Sequence, residues 1–202
     1  MSIKAVVLDI GGVLEILDDS IFPALWPARL GLAQDEFARR LLPLTERAAL
    51  GRVTEAEQYA EWKRRLGLTD QQLDEFRADI WRWYAGTLDR PLLDWFAGLR
   101  RRGLRTGILS NSGPGAREAE RHHGFEDVTD HIVYSHEVGL AKPDPAVYAL
   151  TADRLGVEPH EIAFLDDMPG HVDAARAVGW HAVLHETTPR SIARLERTLG
   201  TA

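Results

Sequence analysis

The stretch Lys4-Ala-Val-Val-Leu-Asp9 constrains the fold of this chain more than any other. A β-branched apolar run stops on one carboxylate, and Gly11 and Gly12 follow almost at once. Such an unbroken run reads as a strand buried on both faces, the setting of a parallel sheet. In open α/β sheets ligands bind beyond the carboxyl ends of the strands, so Asp9 would face a site. A strand-terminal aspartate can also do no more than cap the next helix. Three further strand ends or following loops that carry polar groups, at Ser110-Asn111, Lys142 and Asp166-Asp167, weigh toward the first reading.

From Pro91 onward helix-like and strand-like segments alternate. Pro91–Arg102, Pro114–His122, Asp144–Leu155, Val172–Val178 and Ser191–Leu199 read as helices. Arg105–Ser110, Ile132–Ser135, Ile162–Asp166 and His181–Leu184 read as strands. Right-handed crossovers then give an α/β fold with a doubly wound, Rossmann-like parallel sheet. Between Asp18 and Tyr84 every signal is helical: Phe22–Leu30, Gln34–Leu50, Thr54–Leu66 and Asp70–Trp83, with Thr54 and Glu57 spaced as a capping box. The expected organisation is a core of residues 1–15 and 85–202, with residues 16–84 forming a helical-bundle cap inserted after the first strand.

Composition narrows the chemistry. A chain of 202 residues can bury its own core, and with no cysteine it has no thiol nucleophile, thiolate zinc site or disulfide. A net charge of −7 argues against a broad nucleic-acid or anionic-membrane surface. The Arg100-Arg101-Arg102 cluster with Arg105 falls at a helix end, where cations offset the macrodipole. No apolar run approaches the ~18 residues of a membrane span. The opening residues carry no secretory signal pattern, so a cytoplasmic location is expected. Oligomeric state is not legible.

Brought to one sheet edge, Asp9, Ser110, Asn111, Lys142, Asp166 and Asp167 form a coherent set. Clustered carboxylates need a neutralising cation, and oxygen-only ligands suit Mg²⁺. A hydroxyl, backbone amides and an ammonium would hold a tetrahedral anion. A carboxylate beside them is placed for displacement at phosphorus.

Four segments in order, Val7-Leu-Asp-Ile-Gly-Gly-Val-Leu14, Ile108-Leu-Ser-Asn111, Gly139-Leu-Ala-Lys-Pro-Asp144 and Phe164-Leu-Asp-Asp167, resemble the four motifs of the haloacid dehalogenase-like hydrolases. The Asp-x-Gly start resembles a sugar-phosphate-phosphatase branch of that family. The resemblance implies that Asp9 is the nucleophile, passing through an aspartyl-phosphate, and a Mg²⁺ ligand together with the Gly11 carbonyl. It implies that Ser110 and Asn111 bind the phosphoryl group and that Lys142 neutralises charge between them. It assigns the acidic pair to the metal, with Asp167 favoured as direct ligand and Asp166 behind it, although strand register could exchange them.

Two positions depart from the family pattern. Most of its phosphatases carry a second aspartate, the acid/base, where this chain has Gly11. His171 stands where Asp or Asn is common, and it either supports the site as a partner or proton carrier or begins a helix facing solvent. Trp62, Trp81, Trp83 and Trp95 fall at amphipathic spacing and read as core, with room for one to face the cleft. His122, His123 and His136 read as surface or loop residues. Glu15, Asp18 and Asp19 read as a solvated hinge, the competing reading being that one of them replaces the missing acid. The expected function is a Mg²⁺-dependent phosphatase of a small phosphorylated metabolite. The alternatives are a metal-free 2-haloacid dehalogenase and a catalytically weak phospholigand-binding protein.

Overall fold

A computed structural model describes residues 2–200, so Met1 and residues 201–202 of the expected core lie outside it. Strands β1 (Ala5–Leu8), β2 (Glu15–Ile16), β3 (Thr87–Leu88), β4 (Arg105–Ser110), β5 (His131–Tyr134), β6 (Ile162–Asp166) and β7 (His181–Leu184) form two sheets. The larger is parallel in the order β5-β4-β1-β6-β7. Strand order reverses at the junction of β1 and β6, where an open sheet leaves a crevice beyond its strand ends. Asp9 and Asp166 stand at that crevice.

The β1 run is continuous because both its faces are covered. Val6 and Leu8 pack with Phe96, Leu99, Ile108 and Leu195 on one side. Ala5 and Val7 pack with Leu109, Val133, Tyr148 and Phe164 on the other. Alternate residues of one strand thus feed two apolar layers.

Between β2 and β3 the chain forms an inserted helical cap with helices at Trp26–Arg29, Gln34–Ala49, Glu55–Leu66 and Asp70–Ala85. Thr54 and Glu57 make the expected capping box, and Thr69 with Gln72 makes another. The cap has its own core, built on Phe22, Trp26, Phe37, Trp62 and Phe76.

The first cap helix is shorter than its periodicity suggests. Residues 19–25 form turns, and helix begins only at Trp26, with Pro27 in its first turn. A proline lacks the N–H a helix interior needs but is tolerated in a first turn, so Pro23 and Pro27 confine the helix to the stretch from Trp26 onward. The antiparallel pair β2–β3, where the chain leaves and re-enters the core, was not expected from the sequence. Among the described residues no helix is long and apolar enough to cross a membrane.

Candidate active site

Asp9 follows β1 directly, and its Oδ1 accepts the Ile10 amide at 2.8 Å. Lys142 Nζ lies 2.9 Å from that same Oδ1 and 2.6 Å from Asp166 Oδ2, so one ammonium bridges two buried carboxylates. The lysine side chain is fully buried, and its ammonium sits 5.7 Å above the Phe164 ring centroid.

Asn111 explains why Lys142 is so fixed. Its side chain accepts the Lys142 amide and donates to the Lys142 carbonyl, both at 2.8 Å. The sequence placed Asn111 beside the phosphate, but its amide group is committed to the lysine backbone. Ser110 ends β4 and is buried beside it. The loop beyond is pinned by Ser112, whose amide donates to Ser135 Oγ at 2.9 Å and whose hydroxyl meets His136 Nδ1 at 2.8 Å. His136, read as a surface or loop residue, has a positioning contact.

Asp166 is saturated. Beyond Lys142, its Oδ1 accepts the Met168 amide at 2.8 Å and lies 3.1 Å from His171 Nδ1. His171 therefore faces the site. The carboxylate contact on Nδ1 fixes the orientation of the ring. Asp167 is half-buried and lies against Gly12, where a Cβ would clash with Asp167 Oδ2. Gly12 also has φ +74°, so close approach and backbone conformation both call for glycine there. Gly11 is different: a Cβ there would meet only Leu17 Cδ1, at 3.9 Å. Its missing carboxylate is not excluded by space.

The three acids differ electrostatically. Burial pushes Asp9 up to about 7, against the charge of Lys142 and with help from Asp166. Burial also opposes ionisation of Asp166, but the His171 hydrogen bond and the Lys142 charge outweigh it and hold that carboxyl low. Asp167 is raised by burial and by Asp166. Asp9, Asp166 and His171 place ligand atoms within 4.8 Å of one another, a group that could hold a metal ion. Lys142 Nζ already touches two members of that group. Asp9, Gly11 and Asp167 line one cavity, and carboxylate and carbonyl oxygens are donors of the kind that suits Mg²⁺.

A cavity of about 640 Å³ lies between these residues and the cap, and Asp9, Gly11, Ser110, Lys142, Asp167 and His171 all line it. Trp62, Trp81 and Trp83 line it too, three indoles rather than the single one the sequence left room for. Trp95 lies elsewhere, donating to Glu196 at 2.7 Å.

Glu15 corrects the sequence reading most sharply, for it is buried rather than a solvated hinge acid. Neither carboxyl oxygen has a hydrogen-bond partner among the described residues, and His123 Nε2 stands 3.3 Å from Oε1. Nearby, Glu120 Oε2 accepts the Tyr134 hydroxyl at 2.5 Å. Burial, then the charge of Glu120, then that of Asp9 push Glu15 up to about 10. Glu120 is raised by burial to about 7. Asp18 and Asp19 are exposed, as expected.

A group raised in the folded state stabilises fully below its unfolded pKa, and that stability is lost as pH climbs toward the folded value. For Glu15 the window runs from about 4.5 up to about 10. Melting temperature in the wild type should therefore fall from about pH 5 to about pH 9, and Glu15→Gln, which mimics the protonated acid, should flatten that fall. Parallel curves for the two proteins would show that Glu15 ionises freely.

A family model described as a haloacid dehalogenase-like hydrolase matches residues 3–179. Phosphatase MT3486 of Mycobacterium tuberculosis (strain CDC 1551 / Oshkosh) is 34% identical over 193 residues, covering 91% of this chain and 88% of that protein. The (S)-2-haloacid dehalogenase of Pseudomonas sp. (strain YL) is 36% identical over 83 residues, covering 41% of this chain and 36% of that protein. The solved structure of a predicted HAD-like family hydrolase from Porphyromonas gingivalis superposes with a TM-score of 0.77 at 26% identity, covering 98% of this chain and 99% of that one.

Proposed function

The chain belongs to the haloacid dehalogenase-like hydrolases, and on that premise we propose that it is a Mg²⁺-dependent phosphatase of a small phosphorylated metabolite. The observation that carries this reading is the charge balance around Lys142. One ammonium serves Asp9 and Asp166, while Asp167 lines the same cavity with no cation of its own among the described residues. A metal-free dehalogenase has no use for that third carboxylate. The Mycobacterium tuberculosis relative, which spans most of this chain, is named a phosphatase; the dehalogenase relative matches less than half of it.

In this reading an Asp9 oxygen forms a bond to phosphorus as the ester P–O bond breaks and the alcohol leaves. Water then attacks the aspartyl-phosphate at phosphorus, releasing phosphate and restoring the carboxylate. Lys142 neutralises charge between the carboxylate and the phosphoryl group. Ser110 donates to a phosphoryl oxygen, and Asn111 holds Lys142 in register. Asp9, the Gly11 carbonyl and Asp167 would hold Mg²⁺, with Asp166 behind them fixing Lys142 and His171. When bound, the metal supplies charge stabilisation to the phosphoryl oxygens. No carboxyl at Gly11 assists the leaving oxygen, so the alcohol takes its proton from solvent and alkyl esters turn over slowly. The core of residues 1–15 and 85–202 would carry this chemistry, and the cap of residues 16–84 would close over the substrate and exclude water.

Metal dependence tests the reading and separates the two acids. Asp167→Ala should raise the Mg²⁺ concentration needed for half-maximal phosphate release, on the order of 10-fold or more, with little change in melting temperature. Asp166→Ala should instead lower the melting temperature, because it removes a partner from the buried Lys142. The reverse pattern would make Asp166 the direct ligand. Full activity in EDTA would remove the metal and favour the dehalogenase reading.

A further inference from the structure

The cap side of the cavity differs in kind from its floor. Leu17, Phe22, Trp62, Ile80, Trp81 and Trp83 are the bulky apolar side chains that stand out in that wall. Two of the indole N–H groups are already committed, Trp81 to the Tyr59 hydroxyl at 3.0 Å and Trp83 to Asp19 at 3.1 Å. Those two rings therefore offer carbon rather than hydrogen bonds to whatever enters. Among the polar side chains of this wall, Thr45 and Glu46 are exposed, the Tyr84 hydroxyl is hydrogen-bonded to Glu120, and Gln58 is withdrawn from solvent with its Oε1 buried and unpartnered.

Charge sharpens the contrast. Among the described residues Lys142 is the only lysine or arginine lining the cavity, and both of its carboxylate contacts lie at the floor. A second phosphate or a carboxylate on the substrate would meet no further lysine or arginine in that lining, and Glu46 would stand against it. A polyol would lose its water and regain few hydrogen bonds, and each buried group left unpaired weakens binding. An apolar group loses nothing polar on entering and gains about 0.8 kcal/mol per buried methylene.

Building on the phosphatase reading, we infer that the substrate is a monophosphate ester whose organic part is apolar, with no second charged group and no sugar-like array of hydroxyls. The phosphate sits on Asp9, Ser110 and Lys142, and the organic part lies along the tryptophan-lined cap wall. This assignment departs from the sugar-phosphate branch that the first motif resembles.

Primary alkyl monophosphates from ethyl to octyl test it with the full chain and Mg²⁺, alongside glucose 6-phosphate, phosphoserine and acetyl phosphate. The alkyl esters and glucose 6-phosphate all release primary alcohols, so differences among them report binding rather than leaving-group chemistry. The expected kcat/KM climbs by up to ~4-fold per methylene over the shorter chains, mainly through KM. Glucose 6-phosphate and phosphoserine should fall on the order of 100-fold below hexyl phosphate. In Trp81→Ala the climb per methylene should shrink; an undiminished climb would put the chain off the cap wall and overturn the assignment. A flat alkyl series, with acetyl phosphate hydrolysed, would overturn the inference and leave the phosphatase standing. Failure to hydrolyse any ester or acetyl phosphate would defeat both.

Discussion

Asp9→Asn should reduce phosphate release to background while the protein melts, without metal, at or above the wild-type temperature. The side chain keeps its shape and loses the attacking oxygen, so the covalent route closes completely rather than slowing. Stability should hold because the wild-type carboxylate is costly where it stands: burial pushes Asp9 up to about 7 even with Lys142 beside it. The ammonium keeps its shorter contact to Asp166, at 2.6 Å, when the Asp9 charge is removed. Phosphate release and a melting curve on the same preparation check both halves. A variant retaining a rate within about tenfold of wild type would be inconsistent with nucleophilic catalysis by Asp9.

Lys142→Met should damage the fold and the chemistry together. The lysine side chain is fully buried between two carboxylates, and methionine has similar length without the charge. Removing one partner from a buried ion pair costs about 3–5 kcal/mol, because the charges left behind have no compensation. For a chain of this size that corresponds to a fall in melting temperature on the order of 10 °C. The pH dependence gives the sign. With Lys142 gone, Asp9 and Asp166 take up protons more readily than in the unfolded chain, so the variant should regain stability as pH falls from neutrality toward their unfolded values. Phosphate release should drop by about 10²–10³ or more, the cost of losing one preorganised charge at the reacting group. A variant as stable as wild type at neutral pH would mean that the carboxylates are solvated rather than held by the ammonium.

Much of this arrangement is legible in the sequence because of where its signals originate. Strands covered on both faces must be apolar throughout, so β1, β4 and β6 stand out, and the polar residue that ends each marks the sheet edge. Thr54 and Glu57 announce their helix because capping is local chemistry. Gly12 is legible as a turn, but only coordinates show that Asp167 occupies the space of its missing Cβ.

The features that escape the sequence depend on contacts between distant residues. Glu15 sits among acids, and its burial comes from the chain around Tyr84, Glu120 and His123, far from it in sequence. β2 and β3 have two residues each, too few to show a period. Trp62, Trp81 and Trp83 fall on apolar stripes, and periodicity does not reveal which part of a stripe faces a cavity. For His171 spacing leaves two directions open; the bonds to Asp166 select the site.

The most direct measurement is acid-quench mass spectrometry during turnover of acetyl phosphate in ¹⁸O-labelled water with Mg²⁺. The expected result is an Asp9-containing peptide heavier by one phosphoryl group, absent from Asp9→Asn, with ¹⁸O appearing in released phosphate and not in the Asp9 carboxylate. Phosphate release without any phosphorylated Asp9 peptide, or ¹⁸O in the Asp9 carboxylate itself, would contradict a phosphatase working through aspartyl-phosphate at Asp9.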